Sequence, residues 1–127
     1  MNSQELCIGN YVLYADVICK VEGYNNDGFL ETNGVIAPIS AYDPVILTEK
    51  ILIDFGFTKK SWKTEGVVIE YFYYIKNHVI VYLLIDSFEI EVVTSSGQFN
   101  LHKQWKFVHQ LQNIYYDFNK EELILNN

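Results

Sequence analysis

Arginine is missing from this sequence of 127 residues, in which all nine basic side chains are Lys. The planar, five-donor fork that grips phosphate oxygens and guanine edges through paired hydrogen bonds is therefore not available. Sixteen acidic residues against nine basic ones leave a formal charge of −7. Such a surface repels a polyanion over a screening length of about 8 Å at physiological salt, so sequence-reading nucleic-acid binding is disfavoured. Cysteine is scarce as well. Cys7 and Cys19 cannot build a disulfide framework and have no metal-ligand spacing, so two reduced thiols are expected. No apolar run approaches the ~18 residues that a membrane-spanning helix needs. The opening MNSQELCIGN has neither the basic start nor the apolar stretch of a signal peptide. A cytoplasmic protein without a membrane partner is the expectation.

What the chain does have is aromatic and β-branched bulk. Ten Tyr and eight Phe stand against a single Met, a balance that favours pleated, half-buried surfaces over helical bundles. Half the residues are hydrophobic and a fifth charged, the composition of a folded globular protein. A chain of this length buries roughly two thirds of the surface of its unfolded form and needs neither metal nor disulfide to stand. One compact unit is the default expectation. A division into two lobes at 1–46 and 47–127 is the alternative.

Tyr11 to Ala15 and Val17 to Tyr24 read as strands, the second ending in the turn signal Asn25-Asn26-Asp27-Gly28. Phe29 to Thr32 and Val35 to Ile39 flank Asn33-Gly34, a pair that tolerates the positive φ angles of a tight hairpin. Short strands at this spacing predict a bent antiparallel sheet or an SH3-like barrel. Leu47 to Phe57 has the marks of a short capped helix. Thr48 is placed as N-cap, Leu47 and Leu52 as a hydrophobic staple, and Gly56 with Phe57 as a left-handed stop folding back on Leu52. Val67 to Ile75, Val79 to Ile85 and Phe88 to Val93 read as an antiparallel meander, with a further strand after Ser95-Ser96-Gly97. In its first strand Val67, Ile69, Tyr71, Tyr73 and Ile75 share one face, while Val68, Phe72 and Tyr74 make the other nearly as apolar, so both faces call for cover. The last helix is predicted over Trp105 to Phe118. Its apolar stripe of Phe107, Val108, Leu111, Ile114, Tyr115 and Phe118 is expected to pack on the sheet, and Asn119 to be the left-handed residue that follows. The architecture expected is thus α+β: an N-terminal bent sheet or SH3-like barrel, a short helix, and a meander packed by the C-terminal helix.

Turning the last helix by 100° per residue puts Trp105, His109, Gln112 and Tyr116 on a second stripe, with Asn113 beside it. A face of aromatic and amide groups without charge resembles the chemistry of interfaces rather than an ordinary solvated helix. Two readings stand: a seam hydrogen-bonded to the N-terminal sheet, or a surface for a partner protein or a second copy. Lys59, Lys60 and Lys63 around Trp62 are the nearest approach to a nucleic-acid contact, with a solvated turn as the plainer reading. His78, His102 and His109 have no neighbours at metal-ligand spacing, so no metal is expected. No nucleophile motif or phosphate-cradling loop is present, and no cofactor is implied. A small hydrolase would have to rest on Glu70, on Glu89 with Glu91, or on His109 in a concave pocket.

Three blocks of the chain resemble a family of small uncharacterised proteins recurring in Bacteroidetes genomes and their phages. They are Glu5-Leu6-x-Ile8-Gly9-Asn10-x-Val12, Leu47-Thr48-Glu49-x-x-Leu52-x-x-Phe55-Gly56-Phe57, and Val108-His109-Gln110-Leu111-Gln112-Asn113-x-Tyr115, with Glu121-Glu122-Leu123 closing the series. Together they cover about a quarter of the chain, and the His-Gln-Leu-Gln-Asn run is the most specific. Cys7 stands where the family has a basic residue, and Asp117 to Lys120 departs from its usual helix end. The resemblance implies a phage or mobile-element origin and assigns no activity, cofactor or catalytic residue. The function expected is a non-catalytic protein–protein interaction module, self-association as a homodimer included. Weak nucleic-acid association through Lys59, Lys60, Trp62 and Lys63 is one alternative, and a small hydrolase is the other.

Overall fold

The computed structural model describes residues 6–25, 27–63, 65–66 and 70–125. Asn26 of the expected turn, 67–69 at the expected start of the meander, and Glu5 of the first motif lie outside the described residues. The class is α+β, with two open antiparallel sheets, a short helix and a longer C-terminal one. The chain forms two compact units. The first runs to Ile46 and resumes over Phe107–Glu122, and the second holds Leu47–Lys106 with the residues from Leu123 onward.

In the first unit five strands, β1 (Tyr11–Tyr14), β2 (Val17–Tyr24), β3 (Phe29–Thr32), β4 (Val35–Pro38) and β5 (Tyr42–Pro44), pair in the order β4-β3-β2-β1-β5. Asn33 and Gly34 take φ of 48° and 78° between the paired Thr32 and Val35, the two-residue turn that their side chains allow. The pairing shifts between Val21 and Gly23 in β2, and such an irregularity bends a strand. The bent sheet is the form realised: β4 and β5 remain its two edges, so it does not close into a barrel. Val12, Val21, Leu30, Ala37 and Tyr42 form its core, and the Tyr42 hydroxyl is held between Thr32 Oγ1 at 3.2 Å and the Leu30 carbonyl at 3.4 Å.

The last helix, α2 (Val108–Asn119), is grouped with this first unit. It starts three residues later than predicted because β10 (Gly97–Trp105) stays paired with β9 (Phe88–Thr94) up to Trp105 opposite Phe88. The buried stripe is also rotated. Val108, His109, Leu111, Gln112 and Tyr115 are inside, whereas Phe118 is 44% exposed. The left-handed residue is Lys120, with φ of 55°, rather than Asn119.

The second unit opens with helix α1 (Glu49–Asp54), whose caps follow the expected pattern. Thr48 Oγ1 accepts from the Ile51 N–H at 3.3 Å. Gly56, at φ +91°, donates to the Ile53 carbonyl and Phe57 to the Leu52 carbonyl, the pair of reversed bonds that ends a helix at a left-handed residue. A meander of β6 (Thr58–Lys63), β7 (Glu70–Lys76), β8 (Val79–Leu83), β9 and β10 follows, ordered β10-β9-β8-β7-β6. β6 was expected to be a solvated turn. It is an edge strand, because each of its residues pairs with one of β7 despite being exposed. Among the described residues no helix is long and apolar enough to cross a membrane.

Candidate functional site

Alternation along the meander gives it an inner and an outer face. Tyr74, Val79, Val81, Phe88, Ile90 and Val92 point inward and are buried. Polar contacts tie helix α1 to the sheet: the Tyr74 hydroxyl donates to Glu49 Oε2 at 2.7 Å, Lys59 Nζ donates to Glu49 Oε1 at 3.1 Å, and Lys76 Nζ donates to the Phe55 carbonyl at 2.6 Å. An ammonium at the last turn of a helix also opposes the negative end of its dipole. The hydrogen bond from Tyr74, then that from Lys59, holds the Glu49 carboxyl below its ordinary range.

The outer face follows from the register. Lys60 pairs with Tyr73 and Trp62 with Tyr71; Ile75 pairs with Ile80, Ile80 with Glu91, and Tyr82 with Glu89. Trp62 and Tyr71 are 54% and 45% exposed, and their rings meet at a 30° tilt with centroids 4.8 Å apart. Tyr73 and Tyr82, half-buried, bring their rings to 6.3 Å. On β9, Glu89 and Glu91 alternate with the buried Phe88, Ile90 and Val92. The Tyr82 hydroxyl donates to Glu91 Oε2 at 3.0 Å.

Burial foremost, and then the bond to Glu91, pushes the Tyr82 hydroxyl from 10 up to about 12, while burial and Glu49 do the same for Tyr74. Both side chains hold their proton more tightly folded than unfolded. Their contribution to stability is therefore complete below pH 10 and is lost as the pH rises from 10 through about 12. At least two of the ten tyrosines should ionise late in a titration followed by tyrosinate absorbance, and Tyr82→Phe should remove one of them. Ten equivalent ionisations in the folded protein would contradict the arrangement.

The residues singled out in the sequence are distributed differently from the expectation. Trp105 lies half-buried on β10 in the second unit and so shares no helical stripe with the others. His109 and Gln112 are 1% and 4% exposed, which makes them interior groups of the first unit rather than a free surface. Gln112 Oε1 accepts from the Tyr11 N–H at 2.9 Å, and its Nε2 donates to the Gly9 carbonyl at 3.0 Å. Asn113 Oδ1 accepts from Asn10 Nδ2 at 2.9 Å. Gln112 thereby reaches the first strand at Tyr11, and Asn113 the residue before it. The His109 ring stacks on Phe107 at 5.8 Å. Tyr116 alone stays open, at 48% exposure, with Lys120 Nζ 5.8 Å from its ring centroid.

The lysine cluster is divided by its strand. Lys60 and Trp62 point outward, whereas Lys59 and Lys63 point to the opposite face. Lys59 is bound to Glu49 at 3.1 Å and lies 4.4 Å from the Phe72 ring centroid. A shallow depression of about 620 Å³ is lined by Leu83, Leu84, Ile85, Asp86, Ser87 and Gln104, and neither His109 nor Glu70 belongs to it. The face of Tyr71 and Tyr73 is one that the sequence already marks as calling for cover, whereas its neighbours Trp62 and Tyr82 follow from the register. Comparison of the chain with protein-family models, with curated proteins and with solved structures finds no match.

Proposed function

We propose that the chain is a non-catalytic protein–protein interaction module that works through the outer face of the meander. The observation that carries this reading is the band of Trp62, Tyr71, Tyr73 and Tyr82, in which two rings remain about half exposed in a folded chain. Tyr and Trp supply large, rigid contact area at small cost in side-chain entropy, which is why they concentrate at the centres of interfaces. The resemblance of three motif blocks to small phage and mobile-element proteins fits an accessory that acts by binding.

A photocrosslinking aromatic amino acid placed at Tyr71 tests the reading in cells that make the protein naturally. A covalent adduct with protein is expected from this position and none from Lys50 on α1, which is also exposed. Failure of position 71 to capture any protein would defeat the proposal. Nucleic-acid association is the lesser reading, since Lys59 is already engaged by Glu49 and Trp62 shares its face with Glu89 and Glu91. Salt-dependent binding of single-stranded DNA, lost in Trp62→Ala, would reverse that order. A hydrolase is favoured least, because His109 is buried and Glu70 lies exposed at the start of β7.

A further inference from the structure

Resting on the interaction-module reading, we propose that the partner covering the outer face is a second copy of this chain, docked face to face about a two-fold axis that runs along the strands between β7 and β8.

The argument begins with one row of residues across the sheet. Lys60 on β6 stands opposite Tyr73 on β7, the Tyr73 and Tyr82 rings are neighbours at 6.3 Å, and Tyr82 on β8 stands opposite Glu89 on β9. The row therefore reads cation, tyrosine, tyrosine, anion. Strands about 4.8 Å apart put its charged ends roughly 14 Å from each other, too far to pair within one molecule. Lys60 is exposed and Glu89 half-buried. A two-fold axis lying in the interface, midway between the two tyrosines, lays β6 of one copy over β9 of the other. Each Lys60 then faces the second copy's Glu89, twice per interface, with the tyrosines meeting in the middle.

An isologous contact demands a patch that complements itself under the symmetry operation. A row with opposite charges at equal distances from its centre meets that demand, whereas a row with like ends would repel itself. The neighbouring rows follow suit. Leu84 continues the outward alternation of β8 and is 46% exposed; the same rotation lays the second copy's Tyr71 over it. Glu91, in register through Ile80 and Ile75 with Thr58, falls opposite the second copy's Thr58, a hydroxyl rather than a like charge. Face-to-face sheets pack about 10 Å apart, a gap that side chains of this size fill. The edge strand β6, by contrast, has Lys59, Lys60 and Lys63 along it, which opposes pairing of two copies through that edge.

Charge exchange on the full-length chain tests the proposal, read by sedimentation and light scattering over a range of concentrations. The unaltered protein is expected to dimerise. Lys60→Glu and Glu89→Lys, each placing like charges opposite one another at two points, should raise the dimer dissociation constant at least about tenfold. The double variant K60E/E89K should return it close to the original value. Both side chains reach solvent, and an unchanged circular dichroism spectrum verifies folding. A chain that stays monomeric at millimolar concentration overturns the proposal. So does a dimer indifferent to the single exchanges, or one that the double exchange fails to restore. The crosslink from position 71 separates the two levels of inference. An adduct of twice the chain mass agrees with a second copy; an adduct with a different protein sinks the second copy and leaves the module reading standing; no protein adduct sinks both.

Discussion

Gln112→Ala should destabilise the first unit by about 2–6 kcal/mol, since it strips a buried N–H and a buried carbonyl of their partner and each such loss costs about 1–3 kcal/mol. The amide of Gln112 acts as a piece of backbone: its oxygen takes the Tyr11 N–H and its nitrogen serves the Gly9 carbonyl, at a position 4% exposed. Denaturation by urea measures the loss. Because two units need not unfold together, hydrogen exchange at the Tyr11 amide supplies the local readout, and it should accelerate by orders of magnitude. Asn113→Ala, at a half-buried position, should cost about 1 kcal/mol. A loss below about 0.5 kcal/mol for Gln112→Ala would mean that the two backbone groups find other partners with ease.

Leu52→Ala should be comparably severe in the second unit. Leu52 is fully buried in α1, its carbonyl receives the Phe57 N–H, and Leu47 and Phe57, which flank the helix, are buried as well. Truncating such a residue removes transfer energy and leaves a cavity, about 2–5 kcal/mol in sum. Ile53→Ala, one position along the same helix but 46% exposed, should change stability by less than about 1 kcal/mol. Equal effects at the two positions would refute the orientation of α1. The contrast needs only the two melting curves.

Helix α1 was legible in the sequence because every one of its signals is local. Thr48, Gly56 and Phe57 act on groups within a few residues of themselves. The hairpin at Asn33 and Gly34 was legible for the same reason. β6 was not, since Thr58 to Lys63 shows no apolar alternation and becomes a strand only through its pairing with β7. Trp105 was misread because Trp105, His109, Gln112 and Tyr116 fit a helical spacing, whereas the ladder with β9 keeps Trp105 extended. The rotation of α2 has a different origin. A polar side chain weighs toward solvent in any hydrophobic periodicity, yet Gln112 is inside because strand β1 and the residues before it offer backbone groups to its amide. The absence of charge along His109, Gln112, Asn113 and Tyr116 was the legible part of the site, and it pointed to a seam as much as to a surface. The outer face of the meander is written in Tyr71 and Tyr73, but only the register shows that Lys60 and Glu89 end the same row.

The bond between Tyr11 and Gln112 joins residues 101 positions apart. During synthesis the five strands of the first sheet are complete once Pro44 has been added, while the helix that supplies Gln112 emerges only after the whole meander. At ordinary elongation rates that delay is roughly 3–13 seconds, long compared with the folding time of a small domain. The nascent first sheet therefore waits with Gly9 and Tyr11 unserved until the chain has been extended to Gln112.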